Sequence, residues 1–119
     1  MPTYTKKILS ASTDGKAVLV AATASAGTTI HTGSTNPAVI EEVWLYASNP
    51  DTATRMLTIQ WGGTTSPNDH IVLYLQPQSG LIVVAPGLLL KGNATPLVIR
   101  AFSDSVNKIT VTGYINEIA

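Results

Sequence analysis

The chain of 119 residues contains no cysteine, which excludes a disulfide framework, a thiolate zinc site and a cysteine nucleophile. Packing and backbone hydrogen bonds must hold the fold. Charge is also scarce. Seven Lys+Arg against seven Asp+Glu make up 12% of the chain and cancel formally, about half the ordinary charged share. Nucleic-acid binders draw most of their affinity from counterion release by basic residues, so nucleic acid is not an expected partner. The longest apolar run, residues 81–90, is ten residues long and interrupted by Pro86-Gly87, whereas a membrane-spanning helix needs about twenty. No membrane partner is expected. Lys6-Lys7 followed by residues 17–22 and Ala24-Ser25-Ala26 imitates a signal peptide, but Asp14-Gly15-Lys16 interrupts its apolar part. The segment reads instead as a strand.

What is present is apolar and β-forming. Hydrophobic residues are 45% of the chain, and mean hydropathy is +0.23, the reverse of a disordered composition. The length suits one domain. With so little charge and a pI near 6.7, a free monomer risks association, so much of the surface is expected to meet partners.

Helical periodicity is nearly absent, and period-two alternation recurs from end to end. Residues 54–61 set Arg55, Leu57, Ile59 and Trp61 on one face and Thr54, Met56, Thr58 and Gln60 on a wet face. Residues 69–76, 97–102 and 108–116 alternate similarly. Residues 17–22, 39–47 and 81–85 read as strands buried on both faces, and residues 28–31 and 88–90 as short extra strands. Asp14-Gly15, Gly62-Gly63, Asn49-Pro50-Asp51 and Ser66-Pro67-Asn68-Asp69 supply turns. Pro77 and Pro86 are expected to end their strands, since each removes a ladder donor. Eight or nine strands predict an all-β, single-domain antiparallel β-sandwich of jelly-roll type over residues 1–119. Residues 1–7, with Pro2, Lys6 and Lys7, are expected to form a flexible or docking arm.

Catalytic motifs are thin. The two histidines, His31 and His70, read as lying at strand ends or on polar strand faces, and no Gly-x-Ser-x-Gly elbow accompanies them. Glu41 and Glu42 are adjacent in a strand and so point to opposite faces; one is expected in solvent and the other against a loop or partner. Asp69 and His70 lack a third metal ligand. Gly62-Gly63-Thr64-Thr65 lacks the lysine of a phosphate loop. Asn93-Ala94-Thr95 is a formal glycosylation sequon followed directly by Pro96. No catalytic residue, metal site or cofactor is expected, although convergence of His31, His70 and an acid would reopen an enzymatic reading.

Aromatic residues number seven, and their placement carries more. Trp44 and Tyr46 share one strand face, with Val43, Leu45 and Ala47 on the other. If the second set fills the sandwich, the first must meet a loop of the same chain, another chain or a sugar. Tyr74 is expected to join them.

The segments Glu42-Val43-Trp44-Leu45-Tyr46-Ala47-Ser48-Asn49 and Arg55-Met56-Leu57-Thr58-Ile59-Gln60-Trp61-Gly62-Gly63 resemble small β-sandwich virion proteins of tailed bacteriophages. So do Ile82-Val83-Val84-Ala85-Pro86-Gly87-Leu88 and Leu97-Val98-Ile99-Arg100-Ala101-Phe102. Such proteins are capsid decoration (cement) proteins and related head, neck or tail accessory proteins. The resemblance spans residues 38–119 and is one of texture and strand order; the part through Ser34 departs from it. It implies a non-enzymatic protein of the virion, on the capsid surface, self-associated as a trimer and clamping major capsid subunits. The expected contact residues are Trp44, Tyr46, Tyr74 and His70, with Lys6 and Lys7 in the arm. The alternative is a tail, neck or baseplate accessory protein that reads host glycans through aromatics and loop residues such as Asn49, Asp51, Asn68 and Asp69.

Overall fold

The computed structural model describes residues 2–119 and contains nine strands: β1 (Tyr4–Ile8), β2 (Val18–Leu19), β3 (Thr28–Thr32), β4 (Ile40–Ser48), β5 (Arg55–Trp61), β6 (His70–Leu75), β7 (Leu81–Lys91), β8 (Val98–Ser103) and β9 (Thr110–Ile118). They form two antiparallel sheets. In the first the order is β1-β9-β4-β7, and β2 joins β1 along the same side of β9. In the second it is β3-β8-β5-β6. With the two-residue β2 set aside, consecutive strands are shared between the sheets in the order of a jelly roll. The chain is an all-β sandwich.

Alternation builds the core. Val43, Leu45 and Ala47 of β4 and Val111 and Ile115 of β9 face Leu57 and Ile59 of β5 and Ile99 and Ala101 of β8, all fully buried. Each large aliphatic among them contributes about 1.5–3 kcal/mol by leaving water. At the centre of the first sheet β9 runs against β4 over its whole length. A Cβ at Gly113 would overlap the Trp44 carbonyl, so glycine is required for the two strands to close there.

Several expectations need correction. Pro86 does not end its strand: residues 81–85 and 88–90 belong to the single strand β7. This strand is an edge, and a register shift against β4 that leaves Gly87 unpaired lies beside Pro86, with a second at Val84, the setting in which proline is tolerated. Being an edge, β7 is not buried on both faces; Leu81 and Val83 are more than half exposed. Strand β4 alternates buried and half-buried residues, because no third layer lies on its sheet. Of residues 17–22 only Val18–Leu19 pair, and Leu19 is exposed. The wet face expected on β5 is covered. Thr58 and Gln60 are buried, and the segment before β3 folds over Gln60: Gly27 N–H donates to Gln60 Oε1 at 2.8 Å, and Gln60 Nε2 donates to Ser25 Oγ at 2.9 Å. The arm expected over residues 1–7 is, from Tyr4 onward, the paired strand β1; Met1 lies outside the described residues.

Candidate functional site

Two features stand out: the outer face of the first sheet and a polar cleft between sheet edges. Outward on that face lie Tyr4, Lys6 and Ile8 of β1, Thr110, Thr112, Tyr114, Asn116 and Ile118 of β9, Ile40, Glu42, Trp44, Tyr46 and Ser48 of β4, and Leu81, Val83, Pro86, Leu89 and Lys91 of β7, as the strand registers dictate. Trp44 stacks on its cross-strand neighbour Tyr114, with ring centroids 6.1 Å apart and planes at 10°. The Lys6 ammonium lies 5.3 Å from the Tyr114 ring centroid, a cation–π contact. Trp44 Nε1 donates to Glu42 Oε1 at 2.7 Å, and the Trp44 ring crosses Gly87, where a Cβ would approach it to 3.0 Å. The indole is thereby pinned flat, with its polar atom satisfied. Around it Tyr4, Ile8, Ile40, Leu81, Val83 and Leu89 are 37–63% exposed. No strand or helix of the described chain covers this face, and its charges are Lys6, Glu42 and Lys91.

The expected contact residues do not form one patch. Trp44, Tyr46 and Lys6 share this face. Lys7 alternates to the other side and pairs with Glu117 at 2.7 Å. Tyr74, expected beside Trp44, lies instead on the outer face of the second sheet with His70, opposite Met56 and Gln60 of β5. Alternation fixes the face of each strand but not the sheet to which that strand belongs. His70 is held edge-on to Phe102 at 5.8 Å, and its Nε2 accepts from Gln60 Nε2 at 3.3 Å.

His31 lies near the end of β3, as expected, but is buried rather than on a polar face. A register shift in β3 beside it breaks the simple alternation. Ser10 N–H donates to His31 Nδ1 at 3.0 Å, so this nitrogen carries no proton, and Nε2–H donates to Glu41 Oε1 at 3.1 Å. Both nitrogens are occupied. In a serine–histidine–acid triad the acid holds Nδ1 and the hydroxyl meets Nε2. Here the acid is on Nε2, and Ser10 Oγ accepts from Thr32 N–H at 2.7 Å. The two histidines do not converge: His31 lies at the Glu41 contact and His70 at the Gln60 contact.

The His31–Glu41 pair lines a cleft of about 370 Å³ with Lys7, Ser10, Thr32, Ser34 and Glu117. Glu41 of β4 and Glu117 of β9 are cross-strand partners, a juxtaposition that sequence reasoning missed because it arises from the pairing of two strands distant in the chain. Among the described residues no cluster of three or more His, Cys, Asp or Glu is placed to hold a metal. Of the four loop residues that a glycan reader would use, Asn49, Asp51 and Asp69 are engaged in intramolecular contacts. Asn49 Nδ2 donates to the carbonyls of Ala53 and Leu75, Asp51 pairs with Arg55, and Asp69 Oδ2 accepts from Thr65 N–H. Comparison with protein-family models, curated proteins and solved structures returned no match.

Proposed function

We propose that this chain is a non-enzymatic structural protein of a tailed-bacteriophage particle: a decoration (cement) protein that self-associates, as a trimer, and stabilises the assembled head by binding major capsid subunits. The observation that carries the reading is the uncovered outer face of the first sheet, where a stacked Trp44–Tyr114 pair lies among exposed aliphatics. Aromatic anchors framed by apolar side chains are the composition of an interface core, and exposed apolar residues clustered on one face mark a candidate interaction site. The jelly roll itself does not decide the matter, because capsid proteins, lectins and cupins all use it. Two further observations favour masonry over chemistry or glycan reading: both nitrogens of His31 are engaged, and the loop Asn49, Asp51 and Asp69 side chains serve their own turns.

The mechanism is mass action. A protein that binds the assembled shell and not its free subunits stabilises the shell by an amount set by concentration over Kd, about 2.7 kcal/mol per site at a hundredfold excess. The test is labelling of the chain in intact particles. Label over the head supports the proposal. Label confined to the tail overturns the capsid assignment in favour of a tail, neck or baseplate accessory role, and absence from particles overturns both.

A further inference from the structure

The polar cleft lies where the outer strands of the two sheets, β1 and β3, part. Glu41 and Glu117 face into it from directly opposed positions, which sets their Cβ atoms about 5 Å apart and like charges in opposition. One cation compensates them: Lys7 Nζ lies 2.7 Å from Glu117 Oε2. His31 contributes no charge, because its Nδ1 accepts from Ser10 N–H. Among the described residues the local balance is therefore one negative charge, and it resides on Glu41, whose side chain is only 5% exposed. Glu41 Oε1 receives the His31 Nε2 proton. Its Oε2 has no hydrogen-bond partner among the described residues, and since none of their sealed side-chain oxygens lacks one, Oε2 reaches the cleft that Glu41 lines. A carboxylate so buried, without a counter-charge, is costly to maintain.

We infer that this cleft is a socket for one cationic side chain, an arginine or a lysine, donated by a neighbouring protein. The charge balance selects a monocation, since a divalent ion would replace an excess negative charge with an excess positive one. The volume of about 370 Å³ accommodates such a side chain, and Thr32, Ser34 and Thr35 are among its lining residues, each with a hydroxyl able to accept from the remaining N–H groups, although Ser34 Oγ already accepts from Asn36 N–H. A guanidinium bridging a buried carboxylate is among the stronger charge-assisted contacts. That the donor is a capsid subunit rests on the function proposed above; the socket does not, and it is tested on the isolated chain.

The experiment is an NMR titration of the 15N-labelled full-length chain with methylguanidinium chloride at constant ionic strength. Methylammonium serves as a competing cation and methylurea as a neutral control. The expected result is a saturable shift, with a midpoint in the millimolar range, centred on the Ser10 and Gly33 amides and the His31 ring, reversed by methylammonium and absent with methylurea. Glu41→Gln keeps an acceptor for His31 Nε2–H and should weaken the midpoint by about tenfold or more. Lys7→Met removes the resident cation from a half-exposed position and should tighten it, so the test survives even if the first variant does not fold. Shifts that fail to saturate, an equal response to methylurea, or a Lys7→Met midpoint that does not tighten would overturn the socket. A saturable socket in a chain that never enters particles would leave the socket standing and remove its assigned donor.

Discussion

The Trp44 and Tyr114 rings lie nearly parallel, with centroids 6.1 Å apart, on the outer face of the first sheet, which no strand or helix of the described chain covers. Leu45, the next residue along β4, points the opposite way into the core and is fully buried. Neighbouring side chains thus carry different duties, and substitution separates them. Leu45→Ala should cost about 2–5 kcal/mol in urea unfolding, the range for a cavity in a packed core. Trp44→Ser should cost less than Leu45→Ala yet shift self-association, read by light scattering at micromolar concentration, toward the monomer. The reverse ranking would assign Trp44 to stability rather than to binding.

The His31–Glu41 contact predicts a large structural effect. Removing the imidazole leaves a buried carboxylate and the Ser10 N–H without their partner, so His31→Ala should lose about 2–4 kcal/mol of stability, the desolvation cost of two orphaned groups. Glu41→Gln retains the acceptor and should lose much less. Chemical denaturation of both variants at neutral pH measures the difference.

Gly113→Ala should disrupt the pairing of β4 with β9, because the added methyl meets the Trp44 carbonyl. The expected cost is on the order of 3 kcal/mol, with loss of hydrogen-exchange protection concentrated in those two strands.

Acid should weaken the turn before β5. The Arg55 side chain donates to Asp51, and Thr52 N–H adds a second bond; together they hold the Asp51 carboxyl below its ordinary range. A carboxyl that binds its proton less readily when folded contributes stability above the unfolded pKa of about 3.9, and that contribution fades as pH falls through the lower folded value. Asp51→Asn should therefore show a shallower loss of stability below about pH 4 than the unaltered chain, as urea midpoints across that range would record.

Much of the fold was legible because one physical rule, alternation, governs it. Val43, Leu45 and Ala47 facing in, with Trp44 and Tyr46 facing out, follow from period two alone, as does the inward set Leu57 and Ile59. The rule fails where a second influence enters. Gln60 alternates to an outward position yet is buried, since the segment carrying Ser25 and Gly27 folds over it. Pro86 continues β7 because an edge strand with a register shift does not need its N–H. The cleft was not legible at all: Glu41, His31 and Glu117 meet through pairings between strands and across sheets, which no local pattern encodes.

The most direct measurement is co-sedimentation of the purified chain with expanded phage heads stripped of accessory proteins, using the unaltered chain and Trp44→Ser in parallel. The account predicts that the unaltered chain pellets with the heads to saturation and raises their disruption temperature, and that Trp44→Ser remains in the supernatant while still folded. Equal pelleting of the two forms, or no saturable binding of the unaltered chain, would contradict it.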